Sequence, residues 1–177
     1  MHPPLVSEYP KTSYFAEYLN FSPTDTLKEQ LKKNEIFVLN LFESLSDAEL
    51  LFQYQENKWS IKELIGHISD TEKIFGYRAL SIVRGEKKPL PGFDENIYVE
   101  NAHFNKLSAN QLIQYYFANR TATLAFLETI STEQVLQMGS ANGQEVSARA
   151  LLWMIAGHEK HHLSVINERY IPLLNKN

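Results

Sequence analysis

Cysteine is the residue whose absence says most, because none of the 177 residues is a cysteine. This excludes disulfides, thiolate metal ligands, iron-sulfur clusters and a cysteine nucleophile supplied by the protein. The chain also lacks a glycine-rich phosphate loop, a dinucleotide fingerprint and a Gly-x-Ser-x-Gly elbow. Nucleotide-binding and serine-hydrolase functions therefore have no support. Any sulfur chemistry would need a thiol from outside the chain.

Long apolar runs and an excess of positive charge are missing too. No uncharged apolar stretch reaches the roughly 18 residues of a membrane helix, and the N-terminal MHPPLVSEYP has no signal-peptide pattern. The 17 Lys and Arg residues against 21 Asp and Glu give a net charge of -4, which favours no polyanionic partner. We expect one domain over residues 1–177, cytoplasmic, with neither nucleic acid nor membrane as partner.

Glycine and proline, seven of each, leave long stretches uninterrupted, which favours helices. A capping box, Ser with Glu or Gln three residues later, marks four helix starts. The four boxes are Ser46 with Glu49, Ser60 with Glu63, Ser108 with Gln111, and Ser131 with Gln134. With the 3.6-residue periodicity, these predict main helices at residues 24–45, 61–84, 109–129 and 148–170, and short helical turns after Ser46 and Ser131. The sequence therefore predicts an all-α protein, a four-helix bundle.

Two regions outside these helices carry further expectations. The connection at residues 85–107 is longer than most helix-helix joints, about 2 to 8 residues, so we expect it to cover a site. Residues 1–22 form an N-terminal extension that we expect to pack on or near the bundle. Leu152 and Trp153 lie off the main apolar stripe of the last helix, where either a second subunit or residues 3–18 could cover them.

The last helix contains the sequence His-Glu-Lys-His-His at residues 158–162. His158 and His162 are four residues apart, so their Cβ atoms lie about 5 to 6 Å apart on one face, where both can bind one metal ion. They also continue the apolar stripe that should face the core. The alternative is a pair of buried histidines, each satisfied by a neighbouring side chain.

A metal site in a bundle needs a third ligand from another helix. His67 is the best candidate, because it lies beside Leu64 and Ile68 on the predicted second helix, although a histidine at the edge of the buried face has the same spacing. His161 projects from the opposite edge of the stripe to His162. We therefore expect His161 to be a surface residue, or one that contacts a ligand without binding metal.

Read literally, residues 158–162 are also the His-Glu-x-x-His motif of zinc proteases, in which Glu159 would be the general base. The remaining chain offers no third ligand after His162, Val165 stands where the extended motif has glycine, and no sheet edge is visible. We therefore expect Glu159 to be a solvated carboxylate, or one that supports a ligand.

Other polar residues fall near the predicted site. Asp70, three residues after His67, could orient an imidazole. Asn119 and Thr123 share the inward face of the third helix, where they could contact substrate or a ligating histidine, or bond each other or a water. Arg78 lies on the His67 face, about 16 Å further along the axis. We expect a salt-bridged surface arginine there, with an anionic tail of a thiol cofactor as the alternative partner.

Residues 58–72 read Lys-Trp-Ser-Ile-Lys-Glu-Leu-Ile-Gly-His-Ile-Ser-Asp-Thr-Glu. With the proline-containing loop and the distant histidine pair, this segment resembles the DinB/YfiT superfamily, and the likeness spans residues 24–170. The resemblance implies a four-helix bundle of up-down-down-up order, commonly dimeric, that holds a divalent metal on three histidines. The residues that match those ligands are His67, His158 and His162.

Members of that superfamily are described as metal-dependent hydrolases or as transferases that use small thiols such as bacillithiol or mycothiol. The resemblance therefore implies a divalent-metal enzyme for a small molecule, which activates such a thiol for S-transfer or a water for hydrolysis. Three neutral imidazoles leave an ion its double charge and an open position, which suits either reaction. Zinc or nickel is the expected metal. The competing class is a non-catalytic bundle with a structural metal or only a polar core.

Overall fold

The structure is a computed structural model that describes residues 1–11 and 14–174. Four long helices dominate it. In chain order the elements are α1 (Tyr14–Tyr18), α2 (Leu27–Ser44), α3 (Ile61–Val83), α4 (Glu95–Ala102), α5 (Ala109–Leu127), α6 (Thr132–Val135), β1 (Met138–Ala141), β2 (Gln144–Ser147), α7 (Ala148–Val165) and α8 (Ile171–Leu174), with a π-helical turn at Ile166–Tyr170 and 3-10 turns at Val6–Glu8, Glu49–Leu51 and Phe104–Lys106. No helix among the described residues is long and apolar enough to cross a membrane.

The predicted four-helix bundle is confirmed by α2, α3, α5 and α7. Helix α3 packs against both α7 and α5, and α2 packs against the same two helices from the other side. Consecutive helices α2 and α3 therefore lie across the bundle from each other. Their up-down-down-up order stays a prediction.

The capping boxes set the helix starts as predicted. Ser60 Oγ accepts from the Glu63 amide while Glu63 reaches back to the Ser60 amide, and α3 begins at the next residue. The same reciprocal bonds form between Ser108 and Gln111 at the start of α5. At the other end of the chain, α7 stops at Val165, and residues 166–170 form the π-helical turn where a continued α-helix was predicted.

A small hairpin between α6 and α7 was not predicted. Strands β1 and β2 pair antiparallel, with Met138 opposite Ser147 and Ala141 opposite Gln144. Asn142 and Gly143 both have positive φ (53° and 73°), which is the tight hairpin turn that Asn-Gly favours. The long connection is fixed to this hairpin, because the Leu90 amide donates to Ser140 O (2.8 Å) and Leu90 O accepts from the Asn142 amide (2.9 Å).

The apolar core is divided into two clusters with a polar layer between them. One cluster fills the end of the bundle that contains Phe75, Leu151 and Ile155. The other fills the end that contains Ile65 and Leu163. Buried polar side chains occupy the level between them on all four helices, namely Asn34, His67, Glu72, Asn119, Arg120, His158 and Glu159. This layer is where the chemistry of the fold is concentrated.

The N-terminal residues cover the face of α7 that was predicted to be either an interface or covered. Trp153 is fully buried, its Nε1 donates to His2 O (2.9 Å), and the Phe21 ring lies 4.7 Å from its ring. Gly157 lets α1 approach closely, because a Cβ there would overlap the Tyr18 carbonyl oxygen. Residues 12 and 13 of this segment lie outside the described residues. The Trp153 face is therefore not available to a second subunit.

Candidate metal centre

Three histidines from two helices meet at one point in the polar layer. His67 comes from α3, and His158 and His162 come from successive turns of α7. His158 Nε2 lies 2.9 Å from His67 Nε2 and 3.0 Å from His162 Nε2. His67 and His158 are buried and His162 is half-buried. The structure thus brings together the three rings that the sequence singled out.

The three imidazoles are neutral at physiological pH. Burial lowers the pKa of His67 to about 4 and that of His162 to about 3, with the neighbouring histidines adding to the shift at His162. Burial, followed by the charges of His162 and His67, holds the pKa of His158 well below its usual range. Each ring therefore keeps a nitrogen lone pair, which is the form that binds metal.

This donor set fits a divalent transition metal. One candidate ligand atom from each of the three histidines lies within 4.8 Å of the others, and His158 Nε2 lies only 2.9 and 3.0 Å from the other two Nε2 atoms, which is the range of separations for nitrogens that bind one ion at about 2.0 to 2.1 Å. Neutral imidazoles suit zinc, nickel, copper and iron, and they do not suit calcium or magnesium, which prefer oxygen. Within residues 1–11 and 14–174, no carboxylate belongs to this cluster.

A cavity of about 310 Å³ borders the three rings. Aromatic side chains form much of its wall, and polar groups are spread around it. Its lining is Tyr14, Tyr18, Trp59, His67, Thr71, Phe75, Arg78, Phe93, Glu95, Asn142, His158 and His162. The volume is at the lower end of the range for small-ligand sites, about 300 to 1,000 Å³. The site thus has room for a compact molecule beside the imidazoles.

Several lining residues were not predicted because they lie outside the long helices. Tyr14 and Tyr18 come from α1, Asn142 from the hairpin turn, and Phe93 and Glu95 from the long connection. Residues 85–107, which we expected to cover a site, supply Phe93 and Glu95 to the lining of this cavity. The Asn142-Gly143 dipeptide could have revealed the hairpin, but nothing local connects it with the histidines.

Residues 30–166 match the family model of the DinB superfamily, which is more than half of the chain. The chain belongs to the DinB superfamily. The resemblance read from the Trp-Ser-x-x-Glu-x-x-x-His segment and the distant histidine pair is thereby confirmed.

Relatives of this DinB-superfamily chain carry provisional names as metal-dependent hydrolases. One from Oceanobacillus iheyensis is 28% identical over 147 residues, which cover 80% of this chain and 84% of the relative. Another, from Halalkalibacterium halodurans, is 26% identical over 132 residues, which cover 72% of this chain and 75% of the relative.

Solved structures show the same fold. YfiT from Bacillus subtilis, described as a probable metal-dependent hydrolase with an unusual four-helix bundle topology, superposes with a TM-score of 0.74 at 14% identity, covering 91% of this chain and 98% of YfiT. A mycothiol-dependent maleylpyruvate isomerase superposes with a TM-score of 0.64 at 19% identity, covering 79% of this chain and 60% of the isomerase. At these identities the likeness is one of fold.

Glu159 of the DinB chain is not solvated, which corrects the prediction. Its carboxylate is buried in the core, where it accepts hydrogen bonds from Tyr116 Oη (2.5 Å), Arg120 Nη2 (2.7 Å) and Asn34 Nδ2 (2.9 Å). Arg120 also binds both oxygens of Glu72. Glu159 is thus committed to a closed network and is not part of the cavity lining, so the zinc-protease interpretation is wrong in its choice of general base.

The other polar candidates do not meet the histidines either. Asp70 accepts from Tyr115 Oη (2.5 Å), so it is not seen to orient an imidazole. Asn119 Nδ2 donates to Ser69 O (3.2 Å), which holds α5 against α3. Thr123 is half-buried and outside the cavity lining. His161 is exposed on α7, with its ring 5.2 Å from that of Tyr18.

Arg78 also differs from its prediction as a salt-bridged surface residue. It is only 3% exposed and lines the cavity, and its Nη2 donates to Pro91 O (2.6 Å). Thr71, on the same face of α3, is 2% exposed, and its Oγ1 is the one buried side-chain polar atom among the described residues without a hydrogen-bond partner. The cavity wall therefore has hydrogen-bonding groups from Arg78 and Thr71 in addition to the three histidines.

Proposed function

We propose that this protein is a metal-dependent enzyme that acts on a small molecule, with a divalent ion held by His67, His158 and His162. The observation that carries the proposal is the convergence of three neutral imidazole nitrogens at the wall of a 310 Å³ cavity. Buried histidines that served only the core would be expected to pair with other polar groups, whereas these three face one another.

An open site favours catalysis over a structural role. A structural zinc site is normally closed by four protein ligands, whereas a catalytic site has three and an exchangeable position. The described residues contribute three side chains to this cluster, and the cavity gives a ligand access to them. The non-catalytic alternative needs a fourth protein ligand and no adjoining space.

Hydrolysis is the first reaction that we propose, and the names of the two relatives support it. An ion at this position, for which we propose zinc or nickel, would act as a Lewis acid and favour the deprotonated form of a water or thiol. The chain's own contribution is to present three neutral nitrogens and to surround them with the rings of Tyr18, Trp59 and Phe75, which limit the access of bulk water.

Thiol transfer is the second candidate, because the mycothiol-dependent isomerase has the same fold. A chain without cysteine would take its thiol from solution, for example bacillithiol or mycothiol. Assays of the metal-loaded protein against ester and amide panels, with and without such thiols, separate the two reactions. Turnover without thiol supports hydrolysis, and turnover that requires thiol supports transfer.

Metal content of untagged protein tests the ligand assignment. We expect about one divalent ion per chain in the wild type and a loss of at least tenfold in metal affinity for His67→Ala and His158→Ala, measured by elemental analysis after dialysis. His161→Ala is the matched control, because this exposed histidine lies on the same helix. Equal metal content in the wild type and His158→Ala would overturn the proposal.

We also propose that the protein forms a homodimer, as the resemblance implied. Its interface would have to lie away from Trp153, whose face is covered by N-terminal residues. Sedimentation equilibrium measures the state directly.

A further inference from the structure

Arg78 is a buried cation that has no counter-ion among the described residues. The described residues form six ion pairs within 4.0 Å, and Arg78 belongs to none of them. Glu95 lines the same cavity but does not come within that distance of Arg78. The bond to Pro91 O uses one of the five N–H donors of a guanidinium, and that carbonyl is neutral.

Such an arrangement is costly unless something else compensates it. Taking a guanidinium out of water costs several kcal/mol, which a protein normally offsets with a carboxylate. Burial lowers the pKa of Arg78, with Tyr14 and Tyr98 opposing the shift, but a guanidinium stays protonated in proteins. The position of Arg78 at the cavity wall therefore indicates that the missing counter-charge comes from a ligand.

The same face of α3 connects Arg78 with the metal centre. His67, Thr71, Phe75 and Arg78 follow one another at spacings of four, four and three residues, which places them in one row along the helix, and all four line the cavity. Thr71 adds an unpartnered hydroxyl next to the histidine end of the row. A ligand along this row would meet polar groups at both ends.

The middle of the row is apolar. The Phe75 ring centroid lies 5.8 Å from Arg78 Cζ and 6.1 Å from the His158 ring centroid, so this one ring contacts both ends. The Phe93 ring lies 5.9 Å from Arg78 Cζ and comes from the loop that also supplies Pro91. The loop thus holds the guanidinium while its aromatic ring encloses the space beside it.

We propose that the cavity binds a compact molecule that carries a carboxylate, with the carboxylate at Arg78 and an apolar body against Phe75 and Phe93. The reacting end of the molecule would lie at the three histidines, and this part alone rests on the proposed function. A guanidinium forms two parallel bonds with a planar carboxylate, which no lysine can reproduce. Arg78 is in this proposal a binding residue that sets ligand preference.

Metal-free protein provides the cleanest test, because a bound ion would itself attract a carboxylate. We would measure the binding of phenylacetate and of its uncharged analogue phenylacetamide by ligand-observed NMR titration at pH 7.5, after chelation verified by elemental analysis. We expect the wild type to bind the acid at least tenfold more tightly than the amide, since charge-assisted hydrogen bonds are the stronger kind.

Arg78→Met and Arg78→Gln remove the charge, and Arg78→Gln keeps an N–H for Pro91 O. Both are expected to reduce the acid-to-amide preference to about one, while Arg78→Lys keeps part of it. The exposed Arg84→Met, just beyond α3, is the matched control and should leave the preference unchanged. Circular dichroism and thermal unfolding identify which variants are folded.

Two results would overturn the proposal: a wild type that does not prefer the acid, or a folded Arg78→Met or Arg78→Gln that still does. The metal content of the same preparations, measured after reloading with zinc, separates this outcome from failure of the proposed function. A wild type that prefers the acid but binds no zinc contradicts the metal centre alone. A wild type that binds zinc but shows no preference contradicts the role of Arg78 alone.

Discussion

The two buried arginines of this bundle differ in what surrounds them. Arg120, 1% exposed, binds the carboxylates of Glu72 and Glu159 and also donates to Leu31 O. Arg78, 3% exposed, has one carbonyl partner and a cavity beside it. Burial alone would lower the pKa of Arg120, but Glu159 and Glu72 raise it. A buried arginine with carboxylate partners supports the fold, and one that lacks them among the described residues and borders a cavity suggests a charged ligand.

The same contrast separates two adjacent residues of α7. His158 turns toward the cavity and meets two other histidines, while Glu159 turns toward α2 and α5 and has its oxygens occupied by three donors. Neighbours on a helix point about 100° apart, so one turn of α7 contributes to both sides of the polar layer. We call the side with the three histidines and the cavity the open side, and the side with Glu72, Arg120 and Glu159 the closed side. The cluster of three histidines therefore lies directly beside the hydrogen-bonded network of Glu159.

Removing Arg120 should have the largest effect, because it breaks the closed side. Arg120→Met leaves Glu72 and Glu159 buried without a cation, and we expect a loss of about 3 to 5 kcal/mol in the free energy of unfolding. Urea unfolding at pH 7.5 measures it. The loss should grow at higher pH, because burial raises the pKa of Glu159 and its protonation at lower pH would relieve part of the unpaired charge. A loss under 1 kcal/mol would contradict the idea that the network supports the fold.

Glu159→Gln should have a smaller effect, since the amide keeps the shape of the side chain and Arg120 keeps Glu72. We expect a loss of roughly 1 to 3 kcal/mol in the free energy of unfolding, with metal content unchanged. Urea unfolding measures the loss of stability, and elemental analysis of the same variant measures its metal content. If Glu159→Gln remained folded but lost the metal, Glu159 would contribute to metal binding, which contradicts this prediction.

Glu8 belongs to a second closed cluster, and pH tests it. Burial raises the pKa of Glu8, but hydrogen bonds from Arg149, the Leu5 amide and Ser147 outweigh this and lower it from 4.5. The folded state then holds the proton less tightly than the unfolded state, so the stabilisation is present above pH 4.5 and disappears as pH falls through the folded pKa. Glu8→Gln should cost about 1 to 2 kcal/mol at neutral pH, with the gap to wild type closing below pH 4.5. A gap independent of pH would contradict the assignment.

Arg78→Met should have the smallest effect on stability, and this sharpens the comparison with Arg120→Met. No carboxylate loses its partner, and the apolar replacement removes a desolvated charge, so we expect a change within about 0.5 kcal/mol of zero or a slight gain. Parallel urea unfolding of both variants measures the difference. If the two variants lost similar amounts of free energy of unfolding, Arg78 would be stabilising the fold as Arg120 does.

The bundle was predictable because its information is local. The capping boxes at Ser60 and Ser108 placed the starts of α3 and α5 at the residues observed, and the apolar spacing in a stretch free of proline placed the start of α7. The short turns predicted after Ser46 and Ser131 are present as the 3-10 turn Glu49–Leu51 and as α6. The other short elements, α1, α4 and the hairpin, were not predicted, since they have too few residues for a periodic pattern. The π-helical turn after Val165 was missed for another reason, because the apolar spacing that continues to Tyr170 does not distinguish the two helix types.

The meeting of the three histidine rings was predictable from two patterns, the i, i+4 pair on α7 and the apolar neighbours of His67. Their role as metal ligands stays a proposal. The state of Arg78 and Glu159 was not predictable, since it depends on which distant segments reach them. Glu159 is buried by groups from α2 and α5, and Arg78 is covered by a loop whose path depends on the hairpin.

Gly157 has a consequence for how the cavity could be changed. Because only a hydrogen atom fits between this residue and the Tyr18 carbonyl, the wall that carries Tyr14 and Tyr18 is seated on α7 without being part of the bundle. A methyl group at position 157 would overlap that carbonyl oxygen, so the contact between α1 and α7 would have to open. We expect such a variant to change the side of the cavity that Tyr14 and Tyr18 form, one residue away from His158.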